Sequence, residues 1–194
     1  MKQIDCIITA AGLSSRMGQW KMMLPWQGGT ILDASIKNAL QFCSRIILVT
    51  GFRGEALRQR YGGHPQITLV HNAEYQQGLF SSVRAGARRV TSEHCFITHG
   101  DLPCLHPAIF RTLWPLRDAG AILPQYQGTP GHPILVASAH LQRLLRQSHA
   151  ASVRKLLLSD RHRFLEMNYP EIIFDIDTPA DFIRLGEKQA SRSG

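Results

Sequence analysis

Long apolar runs are missing from this sequence. Nowhere in its 194 residues does it approach the roughly 20 consecutive apolar residues that a membrane-spanning helix takes, so no membrane span is expected. Asp5 interrupts the short apolar stretch at the start, so a secretory leader is not expected either. Cysteine is sparse: Cys6, Cys43, Cys95 and Cys104 are scattered, with no C-x-x-C pair. That excludes a disulfide scaffold and fits reduced thiols in a cytoplasmic protein, with Cys6 and Cys95 as small hydrophobes in buried strands. The nine histidines show no H-E-x-x-H spacing, so no structural zinc site is expected. Internal repeats and low-complexity linkers are absent as well. One domain over 1–190 with a loose tail at 191–194 accounts for the length.

Charge is unbalanced, with 22 Lys+Arg against 14 Asp+Glu and a net charge of +8. The basic residues form no tail and no aromatic–basic alternation, and arginines pair at most, as in Arg88-Arg89. Nucleic acid is therefore not the expected partner; a small, multiply charged anion suits this distribution as well. An apolar content of 44% with 19% charged residues is ordinary for a soluble globular chain.

Strand-like and helix-like patterns alternate through the chain. Strands are predicted at 4–10, 45–50, 67–71, 95–99, 121–124, 133–136, 163–168 and 172–176. Helices are predicted at 30–42, 54–61, 79–90, 107–117, 139–147 and 152–158, and a last one starts at Pro179 with Thr178 as its N-cap. Repeated strand–helix units with short connections imply an α/β fold around a mostly parallel sheet covered on both faces. Ligands of such sheets bind beyond the carboxyl ends of the strands, where the first loop sits.

That first loop is the most informative stretch. The strand-like Ile7-Ile8-Thr9-Ala10 runs into Ala11-Gly12-Leu13-Ser14-Ser15-Arg16-Met17-Gly18, with Lys21 close behind. Glycines and serines allow tight turns that aim backbone N–H groups at an anion, and Arg16 and Lys21 supply the opposing charge. A triphosphate is the best-matching anion. The spacing is not that of Walker A, and a second glycine is missing where a dinucleotide fingerprint requires one. Further along, Asp101 follows the predicted strand 95–99, at the edge where a triphosphate would lie. Asp177 ends the apolar run 172–176. Two such carboxylates with phosphate oxygens suit Mg2+. Asp101 also reads as a turn residue and Asp177 as a helix-start residue, and Asp175 competes for the second position.

Together these blocks resemble the nucleotidyltransferases, and among them the molybdenum cofactor cytidylyltransferases and their guanylyltransferase relatives. The resemblance runs through Ala10 to Lys21, Leu24-Pro25-Trp26, His71-Asn72, Gly78-Leu79-Phe80-Ser81-Ser82-Val83, Gly100-Asp101-Leu102-Pro103, Gly131-His132-Pro133 and Asp175-Ile176-Asp177-Thr178-Pro179, in the family's order and over about residues 4–185. It implies a three-layer, Rossmann-like nucleotidyltransferase fold. It implies transfer of CMP from CTP to the terminal phosphate of molybdopterin carrying molybdenum, with release of pyrophosphate. Thr9-Ala10-Ala11-Gly12 looks more like the cytidylyl than the guanylyl branch; GTP or another phosphorylated acceptor is the alternative within the class. A non-catalytic carrier delivering the cofactor to a recipient molybdoenzyme is the alternative outside it.

By the same resemblance Lys21, Arg16 and Asp101 are the catalytic residues. Ala10, Ala11, Gly12, Leu13, Ser14, Ser15, Arg16, Lys21, Gly78, Ser82 and Asp101 hold the nucleotide. His132 touches the acceptor, and Asp101 with Asp177 binds Mg2+. Ser81 reads equally as a helix cap, and Asn72 as a strand-end turn residue.

Overall fold

The computed structural model describes residues 3–147 and 152–190; the expected tail at 191–194 lies outside the described residues. β1 (Asp5–Ala10) is buried along its whole length and pairs in parallel with β4 (Arg45–Thr50) on one side and β6 (His94–His99) on the other. A strand buried on both faces needs a continuous apolar run, and Ile7-Ile8 and Ile46-Ile47-Leu48-Val49 provide it. β5 (Ile67–His71) closes one edge, parallel to β4. Beyond β6 come β9 (Ile134–Ala137), β7 (Ala121–Tyr126) and β10 (His162–Glu166). β9 is antiparallel to both neighbours, whereas β10 runs parallel to β7. The reversal begins at a two-residue turn, Gln127-Gly128, with φ of 49° and 76°, which folds β8 (Thr129–Pro130) back on β7. A short hairpin of β2 (Pro25–Trp26) and β3 (Gly29–Thr30) stands apart.

Side chains alternate across the sheet, and the helices follow them. Cys6, Ile8, Ile46, Leu48 and Phe96 point to the face covered by α1 (Ile31–Leu40) and α4 (Pro107–Leu113). Ile7, Ile47, Val49, Cys95 and Ile97 point to the face covered by α3 (Leu79–Ala87), α5 (Ser138–Gln147) and α6 (Val153–Leu158). The result is the expected α/β architecture. α2 (Gly54–Tyr61) and α7 (Pro179–Ala190) complete the set. No helix among the described residues is long and apolar enough to cross a membrane. None of the four cysteines is in a disulfide.

The predicted strand at 172–176 does not form. Pro170 opens a 3-10 turn over Pro170–Ile173 instead, and the segment hydrogen-bonds singly: His132 N–H to the Ile172 carbonyl and Ile176 N–H to the Asp101 carbonyl, at 2.8 and 3.1 Å. Ile172 and Ile176 are buried, but in different clusters. Apolar content alone does not separate a strand from a buried irregular segment. The predicted helix 107–117 likewise divides: α4 ends at Leu113, and Pro115 sits in a following 3-10 turn.

At the edge of the sheet remote from the carboxyl ends, Asp5 is fully buried. It accepts from Arg45 Nε and Nη2 at 2.9 and 2.8 Å and from the Thr91 and Ser92 amides at 2.8 and 3.1 Å. Burial alone would raise this carboxyl, but Arg45 and the two amides outweigh it and bring it from 3.8 down to about 2. Arg45→Ala is expected to cost about 3–5 kcal/mol of stability, the usual result of stripping one partner from a buried pair. Chemical denaturation measures it. Because the folded value lies below the unfolded one, the carboxylate's stabilisation is complete above about pH 4 and is lost as pH falls through about 2.

Candidate active site

The loop after β1 is pinned from below and leaves its cations free to reach inward. Ser14 takes a left-handed conformation, φ 56°, and its Oγ accepts from the Lys21 amide at 3.3 Å; Gly18 supplies the second left-handed turn, φ 69°. Met17 is buried against Leu24, Trp26, Ile31 and Ile176, and Met22 belongs to the core that includes Leu32. These two anchors fix a loop of otherwise polar residues and thereby set where Arg16 and Lys21 stand.

Opposite the loop, β6 runs out at Gly100-Asp101. A Cβ on Gly100 would lie 2.8 Å from Leu32 Cδ1 and 2.9 Å from Met22 Sδ, so glycine lets the strand end pack here without displacing those side-chain ends. Asp101 is thereby seated in a buried position facing Lys21. Asp177 arrives from the far end of the chain. The start of α7 is capped by Thr178 and Asp181, whose carboxylate accepts from the Asp177 and Thr178 amides at 3.1 and 2.8 Å. The side chain of Asp177 is therefore not spent on the helix.

Three elements converge on one ammonium group. Lys21 Nζ donates to Asp101 Oδ2 at 2.5 Å and to Asp177 Oδ1 at 2.8 Å, and Arg16 Nη2 donates to Asp177 Oδ2 at 2.8 Å. Burial works against charge on Lys21, but the Asp101 and Asp177 carboxylates outweigh it and hold its pKa above the ordinary value. Burial raises Asp101 above the usual carboxylate range in spite of Lys21. Asp175, in the same corner, is pushed up to about 7 by burial and by the Asp101 and Asp177 charges. Asp101 Oδ1 and Asp175 Oδ1 are buried with no hydrogen-bond partner among the described residues.

These groups line a cleft of about 340 Å³ at the carboxyl ends of β1 and β6. Of the nucleotide and metal residues expected from the sequence, Ala11, Gly12, Arg16, Lys21, Gly78, Ser82, Asp101 and Asp177 line it. Ala10 is wholly buried at the strand end, Leu13 is exposed, and Ser14 and Ser15 shape the loop from outside the cleft. His132 belongs to an adjoining cleft of about 330 Å³, which shares Leu79, His99 and Asp175 with the first. Its Nδ1 donates to the Ile97 carbonyl at 3.3 Å, and burial brings its pKa down to about 4, so the ring is neutral.

Sequence reasoning missed three parts of this arrangement. His99 lines both clefts, with Nδ1 2.7 Å from Thr9 Oγ1 and its ring 4.2 Å from that of His132. Tyr75 reaches the first cleft because Gly51 leaves it room; a Cβ at 51 would be 2.5 Å from Tyr75 Cβ. Asn72 is more than a turn residue. Its buried amide donates to Ser81 and Ser82 at 2.9 and 3.0 Å, holding the start of α3 against β5. Ser81 in turn donates to the Gly78 and Glu74 carbonyls, which ties the helix to the preceding turn rather than capping it.

This geometry has relatives. The MobA-like NTP transferase domain matches residues 6–164. A molybdenum cofactor cytidylyltransferase from Escherichia coli K12 is 58% identical over 97% of this chain and 98% of its own. The fold superposes on a Methanothermobacter nucleotidyl transferase with a TM-score of 0.85 over the whole of both chains, at 22% identity. The Rv0371C protein of Mycobacterium tuberculosis H37Rv, crystallised as a complex with manganese, is 26% identical with a TM-score of 0.76 over 96% of this chain and 99% of its own. A cation-bearing loop, two facing carboxylates and this sheet thus meet in one molecule, and the chain belongs to the MobA-like NTP transferase family, as a nucleotidyltransferase related to molybdenum cofactor cytidylyltransferase.

Proposed function

We propose that the protein transfers CMP from CTP to the terminal phosphate of molybdenum-bearing molybdopterin, releasing pyrophosphate, in an Mg2+-dependent reaction in the cytoplasm. The observation that carries this reading is the Lys21 ammonium bridging Asp101 and Asp177 at the mouth of the loop. The 58% identical relative that bears the cytidylyltransferase name supports CTP and this acceptor.

The residues fit a magnesium ion. Asp101 and Asp177 offer only hard oxygen donors, and the buried Asp101 Oδ1 has no partner among the described residues to give up. When bound, the ion would neutralise triphosphate charge and polarise the α-phosphoryl group. The manganese complex of the Mycobacterium tuberculosis relative is consistent with a divalent site in this fold.

The remaining work falls to the chain. The Ala11–Gly12 backbone and the Gly78–Ser82 turn hold base and ribose, and open space at Gly12, where a Cβ would meet nothing within 4 Å, leaves room for phosphates. Arg16 and Lys21 turn from their carboxylate partners to the triphosphate, orient it and stabilise the departing pyrophosphate. An oxygen of the acceptor phosphate attacks the α-phosphorus as the bond to the β-phosphate bridging oxygen breaks. Bringing two polyanions into line is the main barrier, so positioned cations supply most of the catalysis. A carrier that only delivered the cofactor to a molybdoenzyme would have no use for the Lys21–Asp101–Asp177 cluster.

The test combines stability and turnover. With Mg2+ present, CTP at a hundred times its Kd is expected to stabilise the fold by about 2.7 kcal/mol, well beyond GTP, ATP or UTP. Pyrophosphate release should require CTP together with molybdenum-bearing molybdopterin. Turnover with GTP and none with CTP would overturn the nucleotide assignment.

A further inference from the structure

We infer that Arg154 is the positioning residue for the acceptor, gripping the phosphate monoester of a flat heterocycle held in the second cleft. This rests on the proposed function and adds to it how the acceptor is recognised.

The two clefts meet at a wall formed by Leu79, His99 and Asp175. On the far side of that wall, Val83, Ile97, Ile134 and Val153 give apolar surfaces suited to a heterocyclic ring. Among the described residues, Arg154 is the one cation lining this second cleft. It pairs with no carboxylate among the described residues, and its Nη2 makes a single 3.2 Å hydrogen bond to the Pro130 carbonyl. No other hydrogen bond of this guanidinium fork is made among the described residues, which suits it to bidentate contact with a phosphate. In the first cleft Arg16 and Lys21 are both engaged by carboxylates, whereas Arg154 pairs with none among the described residues. Arg154 lines this cleft together with His132 and with His99 and Asp175 of the shared wall.

An acceptor held this way presents its phosphate at the junction of the clefts. One of its oxygens donates an electron pair to the α-phosphorus of the nucleotide. The bond to the bridging oxygen breaks, and pyrophosphate leaves with that bond's electrons. The attacking phosphate is already ionised at neutral pH, so no protein base is needed to remove a proton. Arg154 orients the nucleophile without entering the bond changes.

The experiment compares the wild type with Arg154→Ala and Arg154→Lys. Binding of molybdenum-bearing molybdopterin is followed by tryptophan fluorescence quenching, and KM is measured for both substrates. Arg154→Ala is expected to weaken acceptor binding and raise acceptor KM about tenfold, with KM for CTP and the melting temperature unchanged. Arg154→Lys, which keeps the charge but not the fork, should recover part of the loss. Unchanged acceptor binding in Arg154→Ala beside a wild type that binds would overturn this inference alone. So would an equal rise in both KM values. A wild type that neither binds nor converts this acceptor would remove the proposed function, and this inference with it.

Discussion

Asp101→Asn is expected to lower kcat by about 10³-fold while the protein folds at least as well as before. The substitution is nearly isosteric, and its amide oxygen still accepts from Lys21, now 2.5 Å from Asp101 Oδ2. What disappears is a negative charge in a water-poor corner, which is the part of the site proposed to hold a divalent ion against the triphosphate. The stability outcome follows from sign. Burial raises the Asp101 pKa above its unfolded value, so the folded protein binds the proton more tightly than the unfolded chain does. That contribution to stability falls as pH rises through that interval, while the same carboxylate holds the pKa of the Lys21 ammonium above its ordinary value and offsets the cost. A neutral amide removes the burial cost and the attraction to Lys21 together, and Asp177 still faces Lys21, so the melting temperature should stay level. Loss of activity without loss of stability separates a functional carboxylate from a structural one. Nucleotide contacts from the loop are independent of this charge, so part of the CTP-induced stabilisation should survive, and the increment added by Mg2+ should not. A kcat within tenfold of wild type would remove Asp101 from the machinery.

The half of the site built from local turns was legible in the sequence. Gly12 to Lys21 and Gly100-Asp101 directly follow strands whose apolar runs mark them, and a side chain just past a strand end has few places to go. The other half depends on contacts that no local pattern encodes. The sequence pattern marks Asp177 only as the end of a strand that does not form. It reaches Lys21 because Ile176 bonds to the Asp101 backbone and Ile172 to His132, while a Cβ at Gly131 would sit 2.3 Å from the Ile172 carbonyl oxygen. Close approach at Gly131 is the physical reason the glycine precedes the histidine. His99 was given no role, since its contact with Thr9 appears only once β6 is placed beside β1 in register. The sheet order shows the same divide. Every predicted strand but 172–176, and most helices, fall close to their expected bounds, yet nothing local indicates that β9 inserts antiparallel between β6 and β7.

Lys21→Ala is expected to move two measurable quantities in opposite directions. The ammonium group occupies the space between Asp101 and Asp177, 2.5 and 2.8 Å from their oxygens. It is thus a resident counter-ion in the position proposed for a divalent metal. In the proposed reaction, binding of nucleotide with a metal needs an exchange: Lys21 shifts its charge to the triphosphate, and the carboxylates become available. Removing Lys21 eliminates the competitor and leaves two facing carboxylates with Arg16 alone, at one of them, as counter-charge. Binding of Mn2+ or Mg2+ without nucleotide should therefore tighten, as titration calorimetry would show. Turnover should nevertheless fall by about 10²–10³-fold, because the cation proposed to stabilise charge developing on the triphosphate is gone. Lys21→Arg should not restore it, since a planar fork does not fit where a compact ammonium group touches two carboxylates in a buried corner. A surface lysine would change neither quantity, and a purely structural one would lower stability and weaken metal binding together. Tighter metal binding joined to lost turnover is the combination that only a charge-exchanging lysine produces; weaker metal binding in Lys21→Ala would sink the exchange.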